Sequence, residues 1–180
     1  MRLCVYCASS TPPSPSYVHA TQHVGTLIGQ RGHTLVYGGG DVGLMGVVAR
    51  AAHEAGGTVF GVIPAALRDI EGVAYEVADD LVVTQTMQER KALMYNLADA
   101  FLVLPGGFGT LEEFMEVLTL RNLGYHQKPI VVLNTDGVYD PLLAFFEGLQ
   151  EQGMVRPHAR AGFHVAATPE AAVAHAETRA

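Results

Sequence analysis

The chain has 180 residues, a length typical of one domain, and 49% of them are apolar while only 16% are charged. That balance, with 20 glycines, excludes a disordered chain and favours a well-buried α/β sheet, and its apolar surplus predicts a homo-oligomer. The net charge of −7 argues against a protein that binds nucleic acid or an anionic membrane through a broad basic surface. Neither a signal peptide nor a membrane span is recognisable, so we expect one cytoplasmic domain over residues 1–180.

The first predicted strand and helix flank a loop of small residues. An apolar run at residues 3–7 predicts the strand, and apolar spacing over residues 16–31 predicts the helix. Ligands of open parallel sheets bind beyond the carboxyl ends of the strands. Ser10, in the loop at residues 8–13, is therefore a candidate ligand contact, with a solvent-facing turn residue as the alternative.

A glycine-rich loop follows the second predicted strand, at residues 33–37. It supplies Gly39 and Gly40 as candidate ligand contacts, and it contains the Gly-x-Gly-x-x-Gly spacing of dinucleotide-binding folds. The acidic residue that those folds place at the end of the next strand is missing from the strand predicted at 58–64, which argues against NAD.

A long connection and a capped helix come next. Residues 65–80 predict an irregular connection of the kind that often walls a site, in which Glu71 is either a ligand contact or a solvated charge. After a short strand at 81–84, Thr86 and Glu89 have the spacing of a capping box that begins a helix.

Arg90 lies in the first turn of that helix, on the side that faces the core. A cation at this place opposes the helix dipole and needs an anionic partner. Arg90 is therefore a candidate substrate contact, and an arginine that reaches the surface or pairs with a structural carboxylate is the alternative.

The most informative stretch is a second glycine loop, at residues 105–109, directly after the apolar run at 100–104. A helix begins at once, and its first amides favour an anion such as phosphate. Thr110 and Glu113 have the spacing of a capping box, so Glu113 is either a structural cap or a reactive group. A second carboxylate, Glu112, would repel an anionic ligand unless one of the pair acts on a reacting centre.

The remaining pattern completes the fold class. Helices are predicted over residues 110–123, over 140–152 and from 168 onwards, and strands over 130–134 and 162–167. This alternation predicts an α/β protein with a Rossmann-like, doubly wound, mainly parallel sheet of about six or seven strands flanked by helices.

No metal site or redox pair is predicted. Cys4 and Cys7 lie three apart in a strand and so point to opposite faces. His19 and His23 have ligand-like spacing but lie opposite the apolar face of their helix, so we interpret them as solvated surface.

Three motifs together resemble those of one known family. They are Tyr37-Gly38-Gly39-Gly40 with Val42-Gly43-Leu44-Met45-Gly46, then Met87-Gln88-Glu89-Arg90-Lys91, then Pro105-Gly106-Gly107-Phe108-Gly109-Thr110-Leu111-Glu112-Glu113. In this order they resemble the LOG ("Lonely guy") family. Its members are cytokinin riboside 5′-monophosphate phosphoribohydrolases, long mislabelled as lysine decarboxylases.

The resemblance implies a homodimer with active sites near its interface, a nucleoside monophosphate as the small-molecule substrate, and no cofactor. The implied reaction is hydrolysis of the N-glycosidic bond of an N6-modified AMP, or of AMP itself, to a free base and ribose 5-phosphate. The family's catalytic pair falls on Arg90 and Glu113. Its substrate-binding residues fall on Glu71, Lys91, Gly106, Gly107, Gly109, Thr110 and Glu112.

Two other functions compete with this one. The glycine loops alone would also suit a non-catalytic nucleotide-binding module, which would gain nothing from a carboxylate beside the phosphate. A decarboxylase dependent on pyridoxal phosphate would need a Schiff-base lysine, and the chain has only Lys91 and Lys128.

Overall fold

The structure is a computed structural model that describes residues 1–10, 14–71, 77–156 and 161–178, without the side chains of residues 69–71. Within these ranges the strands are β1 Arg2–Tyr6, β2 Thr34–Tyr37, β3 Thr58–Pro64, β4 Asp80–Thr84, β5 Ala100–Val103, β6 Ile130–Leu133 and β7 His164–Ala166. The helices are α1 Pro15–Gln30, α2 Gly43–Glu54, α3 Ala65–Glu71, α4 Met87–Leu97, α5 Phe108–Asn122, α6 Asp140–Glu151 and α7 Pro169–Ala176, with a 3₁₀ turn at Thr135–Gly137. No helix in the described ranges is long and apolar enough to cross a membrane.

The strands form one seven-stranded sheet in the order β4-β3-β2-β1-β5-β6-β7, and every neighbouring pair is parallel. The predicted doubly wound sheet is therefore confirmed, with parallel strands throughout. From β1 the chain first winds towards β4 and then, from β5, towards β7. This reversal places the switch point between β1 and β5, where such folds open a ligand crevice beyond the strand ends.

Two apolar cores cover the two faces of the sheet. One contains Leu3, Val5 and Cys7 with residues of α1 and α2, and the other contains Cys4 and Tyr6 with residues of α4, α5 and α6. Cys4 and Cys7 are buried free thiols in opposite cores, as their spacing predicts.

Several predicted helix and surface features are confirmed. The Thr86 hydroxyl accepts a hydrogen bond from the Glu89 amide at 3.1 Å and begins α4, although the Glu89 carboxylate accepts from the amide of Gln85 and not of Thr86. His19 and His23 are exposed.

Two predictions of local structure are wrong. The connection over 65–80 is not irregular throughout, because α3 follows β3 directly and β4 already begins at Asp80. Thr110 does not cap α5, since the helix begins at Phe108 with Gly107 as its N-cap. The first error missed a helix altogether, and the second placed a helix start two residues too late, after residues that fit a turn equally well.

Glycines allow α1 and α2 to pack in close contact. A Cβ atom at Gly25 would lie 2.6 Å from the carbonyl oxygen of Val48, and one at Gly29 would lie 2.6 Å from that of Ala52. Any larger residue would push the two helices apart.

We predict that Gly25→Ala lowers the free energy of unfolding by about 1–3 kcal/mol, because overpacking outweighs the better helix propensity of alanine. Gly148→Ala in α6 is the matched control, since a Cβ there meets nothing within 4 Å, and it is expected to stabilise by up to about 1 kcal/mol. Urea unfolding of both variants tests this, and equal effects at the two positions would contradict the packing argument.

Candidate active site

The glycine loop after β5 delivers the start of α5 to the switch point. Gly107 is the N-cap of α5 and makes no side-chain cap, and the first backbone bond into the helix is donated by Leu111 to the Gly107 carbonyl at 3.0 Å. The amides of Phe108, Gly109 and Thr110 therefore have no partner within the helix. Unpaired amides at the positive end of a helix dipole form an anion-binding site.

The first glycine of this loop is required by packing. A Cβ atom at Gly106 would lie 2.1 Å from the Oγ1 atom of Thr110, which is itself buried at 4% exposure. The side chain of Thr110 therefore packs directly against the backbone of Gly106 and helps to fix the path of the loop.

A cavity of about 260 Å³ opens in front of these amides. Its walls come from the loop after β1, from the starts of α4 and α5, and from single residues of α2 and α3. The lining residues are Cys7, Ala8, Ser9, Ser10, Met45, Leu67, Met87, Arg90, Gly107, Phe108, Gly109, Thr110, Glu112 and Glu113.

Arg90 is buried in this cavity, at 4% exposure. Its Nη2 atom lies 3.7 Å from Oε1 of Glu113, its Nη1 donates to the sulfur of Met87 at 3.7 Å, and its Nε has no hydrogen-bond partner among the described residues. Buried guanidinium groups are normally well satisfied. The unused donors of Arg90 are therefore available to an anionic or hydroxylated ligand.

Glu113 is the second buried charge, at 7% exposure. Its distance of 3.7 Å from Arg90 is too long for a hydrogen bond, so its oxygens can also accept from a ligand or water. Burial raises the pKa of Glu113 to about 7, and the positive charge of Arg90 opposes that rise. A carboxyl group that ionises near neutral pH suits general acid–base chemistry.

Glu112 and Lys91 form a second, more exposed pair at the rim. The Lys91 ammonium donates to Oε1 of Glu112 at 2.5 Å and lies 3.3 Å from Oε1 of Glu116. Lys91 does not itself line the cavity; it holds the neighbouring carboxylate, whose side chain does.

The structure thus brings together most of the predicted site residues. Arg90, Ser10, Gly107, Gly109, Thr110, Glu112 and Glu113 all line the cavity. Gly106 faces an adjoining cavity of about 240 Å³ on the other side of the loop, which shares Ala8, Ser10 and Gly107 with the first. The side chain of Glu71 lies outside the described residues, so its assignment stays a prediction.

Gly39 and Gly40 are buried but are not among the lining residues of the cavity. Gly39 has a φ of +75°, and a Cβ there would lie 2.9 Å from the Cβ of Ile63 on β3. This glycine is needed for packing against the sheet, and its contact with substrate stays a prediction.

Sequence reasoning missed the residue beside them, Gly38. A Cβ at Gly38 would lie 2.0 Å from Nη2 of Arg90, so only glycine leaves room for the buried guanidinium. It also missed the apolar cavity wall of Met45, Leu67 and Met87, which belong to three different helices. The Tyr37-Gly38-Gly39-Gly40 motif could have indicated Gly38; no local signal indicated Leu67.

The start of α2 offers no room for a dinucleotide phosphate. The amides of Leu44 and Met45 both donate to the carbonyl of Ala8, at 2.9 and 3.3 Å. The Gly-x-Gly-x-x-Gly spacing therefore serves the contact between this helix and the loop after β1.

Neither lysine suits a Schiff base. Lys91 pairs with Glu112, and this hydrogen bond raises its pKa, whereas a nucleophilic amine needs a lowered one. Burial lowers the pKa of Lys128, but its ammonium donates to the carbonyl of Tyr95 at 2.7 Å, and neither lysine lines the cavity at the switch point.

The fold and the site define the class: a Rossmann-like α/β protein with an anion-binding loop and a buried arginine–glutamate pair at its switch point. Its family follows from sequence comparison. A family model described as "Possible lysine decarboxylase" matches residues 45–176. Together with the plant relatives described next, this match shows that the chain belongs to the LOG family.

The chain is 47% identical over 161 residues to the cytokinin riboside 5′-monophosphate phosphoribohydrolase LOG7 of Arabidopsis thaliana. The alignment covers 88% of the chain and 73% of that relative. It is 46% identical over 159 residues to LOG of Oryza sativa subsp. japonica, covering 88% of the chain and 65% of the relative. It is 45% identical over 171 residues to the rice protein LOGL2, covering 94% and 69%.

Solved structures support the fold alone. A molybdenum cofactor carrier protein from Chlamydomonas reinhardtii superposes with a TM-score of 0.73 at 24% identity, covering 96% of this chain and 93% of that one. The molybdenum cofactor binding protein of Rippkaea orientalis gives 0.71 at 23% identity, with the same coverage.

The raised pKa of Glu113 makes a prediction about stability. The folded protein holds this proton more tightly than the unfolded chain does, so the contribution of Glu113 is complete below about pH 4.5 and is lost as the pH rises to about 7. The free energy of unfolding of the wild type, relative to Glu113→Gln, should therefore fall by up to about 3 kcal/mol across that window.

Urea unfolding of both proteins at a series of pH values measures this difference. The same series on Glu54→Gln, which removes an exposed carboxylate at the end of α2, separates the effect of burial from the loss of a charge. A constant difference between wild type and Glu113→Gln across the window would show that Glu113 ionises normally.

Proposed function

We propose that this protein hydrolyses the N-glycosidic bond of adenosine 5′-monophosphates, with N6-modified AMP and AMP itself as substrates, to a free base and ribose 5-phosphate. The observation that carries the proposal is the buried pair Arg90 and Glu113, which faces the same cavity as the unpaired amides of the glycine loop. The names of the plant relatives, at 45–47% identity, support the same reaction.

The 5′-phosphate would bind the amides of Phe108, Gly109 and Thr110. These three residues line the cavity at the positive end of α5, and no side chain caps their amides. Binding there fixes one end of the nucleotide and so places C1′ of the ribose at a set distance from the loop.

Glu113 would act on the reacting carbon. Breaking the bond between C1′ and the base nitrogen leaves positive charge on the ribose ring, while the base departs with the bonding electron pair and takes up a proton. The Glu113 carboxylate stabilises that charge and accepts a proton from the water that attacks C1′. Its pKa of about 7 leaves it able to take this proton near neutral pH.

Arg90 would hold the substrate beside Glu113. Its unpartnered Nε and loosely bound Nη atoms can donate to ribose hydroxyls or to phosphate oxygens. Lys91 would act at the rim, where its hydrogen bond with Glu112 offsets the negative charge of that carboxylate beside the incoming phosphate.

A non-catalytic binding module is the weaker alternative, because of the position of Glu113. A carboxylate buried beside an anion-binding loop weakens phosphate binding, and Glu113 has no capping role that would explain it, because Gly107 and not Thr110 is the N-cap of α5. The ion pair with Arg90 is the other structural role open to Glu113, and at 3.7 Å it is too long for a hydrogen bond.

We also propose that the protein is a cytoplasmic homodimer that needs no cofactor and binds no nucleic acid. The side chains of Phe108 and Met87 support the dimer, since both lie at the rim of the cavity and are 94% and 38% exposed. A second copy over this rim would remove both from water. The net charge of −7 supports the absence of nucleic acid.

We predict that the purified protein releases base from both AMP and N6-isopentenyl-AMP, and that Glu113→Gln and Arg90→Ala each lower kcat/KM by at least about a hundredfold. Chromatography of the free base, with a coupled assay of ribose 5-phosphate, measures the reaction. Glu54→Gln, an exposed carboxylate at the end of α2, is the control and should keep full activity.

Binding of both nucleotides without cleavage would contradict the proposal and favour the binding module. Circular dichroism of each variant shows that its loss of activity is not a loss of fold. A cofactor absorbance band in the active protein would instead support the decarboxylase.

A further inference from the structure

A buried tyrosine far along the chain, Tyr139, contacts the backbone directly before the glycine loop at residues 105–109. The hydroxyl of Tyr139 donates to the carbonyl of Leu104 at 2.6 Å, and Tyr139 is only 4% exposed. Leu104 is the last residue before the loop that begins at Pro105. The family motifs and the cavity lining do not include Tyr139.

The Leu104 carbonyl is a decisive point for the path of the loop. The Leu104 amide donates to the Tyr6 carbonyl at 2.9 Å, which extends the ladder between β5 and β1, and the Pro105 carbonyl accepts from the Ala8 amide at 3.2 Å. Between these two backbone bonds, Tyr139 supplies the side-chain bond that holds the Leu104 peptide group. Burial raises the pKa of Tyr139 far above its ordinary value, and the nearby Gly106 amide opposes that rise, so the hydroxyl stays a donor.

Tyr139 is itself firmly held. Its amide donates to Oδ1 of Asn134 at 2.8 Å, and Nδ2 of Asn134 donates to Oδ1 of Asp140 at 2.6 Å. The turn between them needs positive φ values, 54° at Asp136 and 70° at Gly137. The turn and the two side-chain bonds hold the backbone at Tyr139, and burial in the core on this face of the sheet holds its ring.

We propose that Tyr139 is a positioning residue for the substrate phosphate, which acts by fixing the Leu104 carbonyl and thereby the direction of the loop amides that follow. The inference rests on the proposed function, because it assumes that these amides bind the phosphate. The described hydrogen bonds of Tyr139 go to Leu104 and Asn134 and not to Arg90 or Glu113. We therefore expect Tyr139 to affect phosphate binding and not the bond-breaking step.

Tyr139→Phe tests this, since it removes one hydroxyl and keeps the ring. We expect KM for AMP and the dissociation constant of ribose 5-phosphate to rise together by about three- to tenfold, the usual worth of one hydrogen bond. The kcat value should stay within about twofold, because a loss of binding shared by ground and transition states appears in KM alone.

Tyr37→Phe is the matched control. Its hydroxyl is also buried but has no hydrogen-bond partner among the described residues, so neither constant should change. Asn134→Ala is a second route, because it releases the Tyr139 amide and should weaken ribose 5-phosphate binding in the same direction.

Unchanged KM and ribose 5-phosphate affinity in Tyr139→Phe would overturn the inference. A lower kcat together with a lower melting temperature would also overturn it, because Tyr139 would then serve the stability of the fold. Calorimetry with ribose 5-phosphate separates this from the proposed function. If the wild type binds ribose 5-phosphate but does not cleave AMP, the proposed reaction fails while the positioning role is still measured. If the wild type cleaves AMP but does not bind ribose 5-phosphate, the reaction stands and the positioning role fails.

Discussion

The rest of the site depends on two opposite charges buried side by side without a hydrogen bond between them. Arg90 and Glu113 are 4% and 7% exposed and their nearest atoms are 3.7 Å apart. Removing two charges from water costs several kcal/mol per ion, and a contact this long recovers only part of it. Such a pair is a poor way to stabilise a fold. It is a good way to keep a carboxyl group near its ionisation point and a guanidinium group ready for a ligand.

The sheet topology makes this pair possible. The reversal between β1 and β5 leaves a crevice, and the N-terminal ends of α4 and α5 both line it, so Arg90 and Glu113 meet there. Gly38, directly after β2, leaves space for the guanidinium, and Gly107 is the N-cap of α5 and provides no side-chain cap. The start of α5, which places Glu113, also leaves the amides of the glycine loop unpaired and available to an anion.

Strand positions and the orientation of Arg90 could be predicted from local sequence, because apolar runs and helical spacing record which side of an element is buried. Whether Glu113 is a helix cap or a reactive group could not be predicted from the sequence. Reading the start of α5 at Thr110 left a cap and a reactive group equally suitable, and only the start at Phe108 removes the cap. Leu67 and Tyr139 could not be found either, since each reaches the site or its loop through contacts between distant parts of the chain.

The pH dependence of kcat/KM for AMP, from about pH 5 to about pH 9, tests the central claim most directly, because this profile reports ionisations of the free enzyme and free substrate. If Glu113 must be ionised to act, activity should fall to half as the pH decreases through about 7. The substrate phosphate ionises near pH 6, about one unit lower. An acid limb that persists unchanged in the residual activity of Glu113→Gln would reflect the substrate phosphate alone and would contradict the role given to Glu113.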